Sequence, residues 1–113
     1  MKLIRKDDVT PKLIPADAEG HPAEQTYCQV IIEGPNFILR VFTVKPGGST
    51  PHHHHPWEHE TYILTGNGRV VGDNTVDVSA GDAVFVGAGE THSFENTGNE
   101  DLRFICVIPR PTG

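Results

Sequence analysis

Little in this chain points to an obvious class, and each shortage narrows the choice. Cysteine occurs only at Cys28 and Cys106, so a disulfide scaffold is excluded, and two cysteines this far apart in sequence give no support to a bridge. No apolar run approaches the ~20 residues that cross a bilayer. The start, Met1-Lys2-Leu3-Ile4-Arg5-Lys6-Asp7, lacks the apolar stretch of a signal peptide. The expected location is therefore the cytoplasm, where both cysteines are reduced thiols. Basic charge is scarce: 9 Lys and Arg face 15 Asp and Glu, a net charge of -6. That balance argues against nucleic acid and against acidic membrane surfaces as partners. No window carries a sustained helical period. There is no Ser-His-Asp set, no phosphate loop and no acid pair to support a metal-free mechanism.

Turn formers are plentiful instead. The 12 Gly and 9 Pro are spread along 113 residues, enough chain for one domain with a real core. Residues 1–25 are mixed and polar, an arm of the same domain with room for one short strand, in which His21 reads as a surface residue. The remainder, 26–113, reads as one β domain. Tyr27–Ile32 and Phe37–Val44 are rich in β-branched and aromatic residues, and Gly34-Pro35-Asn36 and Pro46-Gly47-Gly48 bound them. Glu60–Thr65 follows, with Gly66-Asn67-Gly68 expected as a hairpin turn that pairs Arg69–Val71 back onto it. Further strands are expected at Thr75–Val78, Ala83–Val86, His92–Glu95 and Leu102–Ile108. Short strands with frequent turns predict an all-β sandwich or barrel.

Five of the seven histidines lie between His52 and His59. Neutral imidazole is a common metal ligand. Side chains alternate along a strand, so His53 and His55 share one face and His52 and His54 the other. His59 joins the first pair if Pro56–Glu58 bend, with Thr61 and Ile63 on its face and Glu60, Tyr62 and Leu64 opposite. His92, much later, can add a fourth ligand.

These residues resemble the cupin family. Its first motif is Gly, five residues, His-x-His, three or four residues, Glu, six residues, Gly. Counting forward from Gly47 and back from Gly66 gives one frame: His53, His55 and position 59, where this chain has His59 instead of Glu. The second motif is matched by Gly81, Gly87-Ala88-Gly89, His92 and Asn96, with Gly87 in place of the usual Pro. The resemblance implies a single-domain cupin β-barrel, also called a jelly roll or double-stranded β-helix. Together with Phe42-Thr43-Val44, Pro56-Trp57-Glu58 and Cys106-x-Ile108-Pro109, the His-for-Glu change is similar to small dimeric manganese cupins with an all-histidine site. That implies a divalent metal on His53, His55, His59 and His92, a homodimer, and an oxygenase-type reaction of a small organic substrate with dioxygen. Metal and small-ligand binding without turnover, or an isomerase or decarboxylase reaction, are the alternatives.

Two other ligand frames compete. His53, His55 and Glu60 leaves one residue too few before Gly66, and His52, His54 and Glu58 fits neither glycine. A metal-free barrel with solvated histidines is the remaining alternative. Four neutral imidazoles leave the ion's charge uncompensated and favour an anionic ligand. Imidazole suits Fe2+, Ni2+, Cu2+ and Zn2+; Mn2+ follows from the resemblance alone. Arg40, in an apolar strand, either faces outward or enters the pocket to orient a substrate carboxylate or a dioxygen-derived species. Phe104 and Cys106 share a face that, by the resemblance, lines a substrate pocket together with Ile63; packing alone is the other reading. Trp57 is expected to anchor the bend, and Asn96 and Glu58 to hydrogen-bond the ligand rings.

Overall fold

Nine strands and a single 3-10 turn, Lys6–Asp8, account for the regular structure in the computed structural model, which describes residues 1–16, 20 and 23–110. His21 lies outside the described residues. The strands are β1 (Lys12–Leu13), β2 (Glu24–Glu33), β3 (Phe37–Ser49), β4 (His59–Thr65), β5 (Asn67–Val71), β6 (Thr75–Ser79), β7 (Ala83–Val86), β8 (Ser93–Asn96) and β9 (Leu102–Pro109). All ladders are antiparallel. They join one curled sheet in the order β6-β5-β8-β3-β9-β4-β7, with β2 also on β3 and β1 on β2. The expected all-β architecture is the observed one. Among the described residues no helix is long and apolar enough to cross a membrane.

Alternation builds the interior. Along β9, Leu102, Phe104, Cys106 and Ile108 are buried while the residues between them are half-exposed. Along β4, His59, Thr61 and Ile63 are buried while Glu60, Tyr62 and Leu64 are exposed. These inward rows meet Val44, Val70, Val78 and Phe94 in one apolar cluster. Ile63, Leu102 and Val44 are fully buried, each burial contributing about 1.5–3 kcal/mol by apolar transfer. Outside, Gln29 on β2 donates its amide to the carbonyls of Lys6 (3.0 Å) and Val9 (2.8 Å), which ties the start of the chain to the sheet.

Two expectations about strand limits are corrected. β3 does not end at Val44 but runs through Pro46-Gly47-Gly48 to Ser49. Its first part pairs with β9 from Phe37 to Val44, and its last residue, Ser49, pairs with Glu95 of β8. The glycines therefore mark a bend where one strand changes neighbours, not a turn between strands. Gly47 takes φ +79, and a Cβ on Gly48 would collide with the Glu24 carbonyl. The second correction concerns Arg69–Val71, which does not pair back on β4. Both edges of β4 are occupied, by β7 and β9, so β5 pairs with β6 and β8 instead. Gly66 makes this departure at φ +86, so close to β9 that a Cβ would lie 2.6 Å from the Asp101 carbonyl.

Candidate metal centre and cavity

The bend in β3 delivers the histidine run to the mouth of the barrel. Beyond Ser49 the chain stays zipped to the approach to β8. Thr50 N–H donates to the Phe94 carbonyl (2.9 Å), and His53 and His92 exchange backbone hydrogen bonds of 3.0 and 2.9 Å. Gly89 N–H closes on the His55 carbonyl at 2.7 Å. The run is thus held extended without being a full strand, and its side chains alternate. His52 and His54 are exposed, whereas His53 and His55 are half-buried. His59 and His92 are 5% and 4% exposed, so they form the buried side of the group.

The four rings form a closed circuit. Centroids are 4.5 Å apart for His53–His55, 5.2 Å for His55–His59, 5.2 Å for His59–His92 and 5.3 Å for His92–His53. Imidazoles bound to one ion place their centroids about 3.2 Å from it, so neighbours at 90–110° stand about 4.5–5.2 Å apart. Among the described residues no three His, Cys, Asp or Glu side chains form a ready-made metal cage. What the fold supplies is a looser quartet of neighbouring rings, with centroids 4.5 to 5.3 Å apart.

Each of three rings has a defined neighbour. His92 Nδ1 lies 2.9 Å from the Glu90 carbonyl. His59 Nδ1 lies 3.4 Å from Cys106 Sγ, and its Nε2 is buried with no hydrogen-bond partner. His55 stacks on Trp57 with centroids 4.8 Å apart and planes 3° from parallel. Burial, helped by the positive potentials of His92, Arg40, His55 and His53, pushes the His59 pKa down to about 3. Burial also lowers that of His92, against the opposing pull of the Glu90 carbonyl and carboxylate. Both rings are therefore neutral at physiological pH, the state in which an imidazole can ligate.

The quartet forms one end of a cavity of about 350 Å³. Its wall is largely apolar, with Phe42, Phe104 and Phe94 stacked in succession at 5.2 and 4.4 Å. Arg40, half-buried, lines this cavity. Its Nη2 donates to Cys106 Sγ (3.2 Å), its Cζ lies 4.9 Å from the Phe42 centroid, and its Nε is buried with no partner. No carboxylate of the described residues forms an ion pair with it. Burial raises the pKa of Cys106, and more than offsets the lowering by Arg40. Cys28 is raised by burial in the same way.

The structure thus brings together His53, His55, His59, His92, Arg40, Phe104 and Cys106 around one cavity. Ile63 is not there: it is fully buried in the core cluster, four residues deeper along β4 than His59. Asn96 does not reach the rings either. Its amide donates to the carbonyls of Val44 (2.8 Å) and Glu100 (2.7 Å) and its Oδ1 accepts from Gly98 N–H (2.9 Å), so it pins the β8–β9 turn to β3. Glu58 and Glu60 are exposed, as are His52 and His54, which puts the members peculiar to both competing frames on the outer side. The ring neighbours that spacing does not reveal are the Glu90 carbonyl, a backbone group, and Cys106, which alternation along β9 places inward without naming its contact.

The wider likeness of the chain agrees with this architecture. It is 39% identical over 113 residues to the oxalate-binding protein of Thermotoga maritima, an alignment that covers 94% of this chain and 92% of that one. Among solved structures, the polyketide cyclase RemF of Streptomyces resistomycificus superposes with a TM-score of 0.84 at 34% identity, covering 96% of this chain and 79% of that one. A predicted oxalate decarboxylase of Thermotoga maritima gives a TM-score of 0.82 at 30% identity, over 97% of this chain and all of the other. Residues 40–108, more than half of the chain and the stretch that holds Arg40 and all four ring-forming histidines, match the cupin domain, and the chain belongs to the cupin superfamily.

Proposed function

We propose that this chain is a metal-dependent enzyme of the oxygenase type, in which His53, His55, His59 and His92 hold a divalent ion next to a small organic substrate. The observation that carries the reading is the buried, partnerless Nε2 of His59 within a circuit of four rings. A buried polar atom without a partner is costly, and a metal bond would satisfy it. The donor set fits: all four are imidazoles, and the two most buried are neutral. Imidazole suits Fe2+, Ni2+, Cu2+ and Zn2+, while the resemblance to all-histidine cupins favours Mn2+ and dioxygen. When bound, such an ion supplies Lewis-acid polarisation and, if redox-active, dioxygen chemistry.

The chain's own residues define the substrate class. Among the described residues no carboxylate joins the quartet, so its end of the cavity attracts an anionic oxygen. Arg40 adds a fixed positive charge whose Nε has no partner among the described residues, and it orients a carboxylate or enolate. The stacked phenylalanines receive a flat apolar body and exclude water. A cavity of about 350 Å³ lies at the lower end of the ~300–1,000 Å³ usual for small-molecule sites. The best-fitting substrate is therefore a small organic anion with an apolar or aromatic body. A second reading, binding of a small dicarboxylate without turnover, draws on the 39% identity to the oxalate-binding protein.

Trp57 is the chain's one tryptophan and stacks on His55, so it reports on the site. Chelator-treated protein titrated with Mn2+, Co2+ and Zn2+ should saturate at one ion per chain, with Co2+ quenching Trp57 emission most strongly. The loaded protein should bind phenylpyruvate more tightly than oxalate and consume dioxygen with it. Tighter oxalate binding and no oxygen uptake would favour the second reading; no bound ion and unchanged emission would end both.

A further inference from the structure

We propose that Cys106 is a positioning residue: its sulfur accepts a hydrogen bond from His59 Nδ1–H and so leaves the Nε2 lone pair of His59 directed into the cavity. The inference rests on His59 being a metal ligand. A neutral imidazole carries one N–H, and only the other nitrogen can bind a metal. For His92 the choice is fixed by the backbone. Its Nδ1 lies 2.9 Å from the Glu90 carbonyl, which can only accept, so the proton sits on Nδ1. His59 has no such carbonyl. Its Nδ1 faces Cys106 Sγ at 3.4 Å, and a thiol can donate or accept.

Two neighbours decide which. Arg40 Nη2 donates to the same sulfur at 3.2 Å, and a guanidinium has no lone pair to offer in return. The sulfur is therefore already an acceptor. Thr61 is the cross-strand partner of Cys106, is 4% exposed, and its Oγ1 is buried with no hydrogen-bond partner. In the proposed arrangement the thiol proton turns towards this unsatisfied acceptor on the neighbouring strand, and the sulfur lone pairs are left for Arg40 and His59. The opposite arrangement, S–H donating to Nδ1, would put the ring proton on Nε2 and strand a buried donor that has no partner. The two most buried rings are thus both fixed at Nδ1, one by a carbonyl and the other by a thiol that Arg40 commits to accepting.

The test is 15N NMR of the imidazole nitrogens in the metal-free protein, with Zn2+ affinity measured beside it. Wild type and Cys106→Ser should show His59 protonated at Nδ1. Cys106→Val, similar in volume but without a polar atom, should shift His59 towards Nε2–H and weaken Zn2+ binding about 10- to 100-fold, with Cys106→Ser recovering most of it. His92 should stay protonated at Nδ1 throughout, an internal control. Cys106→Ala is read the same way if the valine variant fails to fold. An unchanged His59 tautomer in the apolar variant would overturn the proposal. Absence of Zn2+ binding by wild type would count against the metal reading alone, because the tautomers are read without metal.

Discussion

Replacing His59 with alanine should weaken divalent-metal binding at least about 100-fold while the barrel stays folded. Loss of a group that only orients a ligand costs about 10- to 100-fold in affinity, and His59 would be a ligand itself. It is also the ring best prepared for the task. It opens β4, where it pairs with Val86 of β7, and the next residue, Glu60, already pairs with Val107 of β9. With a pKa of about 3, against about 6.5 for an ordinary histidine, it meets no competition from protons across the range in which an exposed ring becomes charged. The alanine variant removes a ring next to an existing cavity, so neighbouring packing is little disturbed. Metal content after dialysis, with circular dichroism to confirm folding, provides the check; wild-type metal content in a folded variant would remove His59 from the site.

Arg40→Met should weaken phenylpyruvate binding to the metal-loaded protein by about 10- to 150-fold, the equivalent of losing one charge-assisted hydrogen bond of about 1.5–3 kcal/mol. Met keeps the length and apolar stem of Arg40, so its contact with Phe42 survives in part. At saturating metal the variant should still hold one ion per chain, because Arg40 is not a ligand. Isothermal titration separates the two quantities. Equal affinity for phenylpyruvate in variant and wild type would mean that the Arg40 guanidinium serves only to hold Cys106.

What could be read from the sequence was whatever depends on local period and spacing. Alternation predicted that His53 and His55 would turn one way and His52 and His54 the other, and that His59, Thr61 and Ile63 would share a face. The same rule put Phe104 and Cys106 on one inward row. Depth along a strand is a different matter. Ile63 shares a face with His59 yet lies in the core cluster and does not line the cavity. Pairing between distant strands was not legible either. Nothing local shows that β9 would occupy the edge of β4 that Arg69–Val71 seemed free to take, or that Gly47 and Gly48 bend a continuing strand. Asn96 was misplaced for a related reason: its partners Val44 and Glu100 become visible only once β3, β8 and the turn before β9 are assembled.

The claim on which everything else rests is that one face of the histidine run forms the site and the other does not. Two double variants separate the faces directly. Bound metal per chain, measured by atomic emission after loading with Mn2+ and dialysis, should remain at one ion in His52→Ala/His54→Ala and fall to none in His53→Ala/His55→Ala. Loss of metal in the first variant with retention in the second would contradict the account.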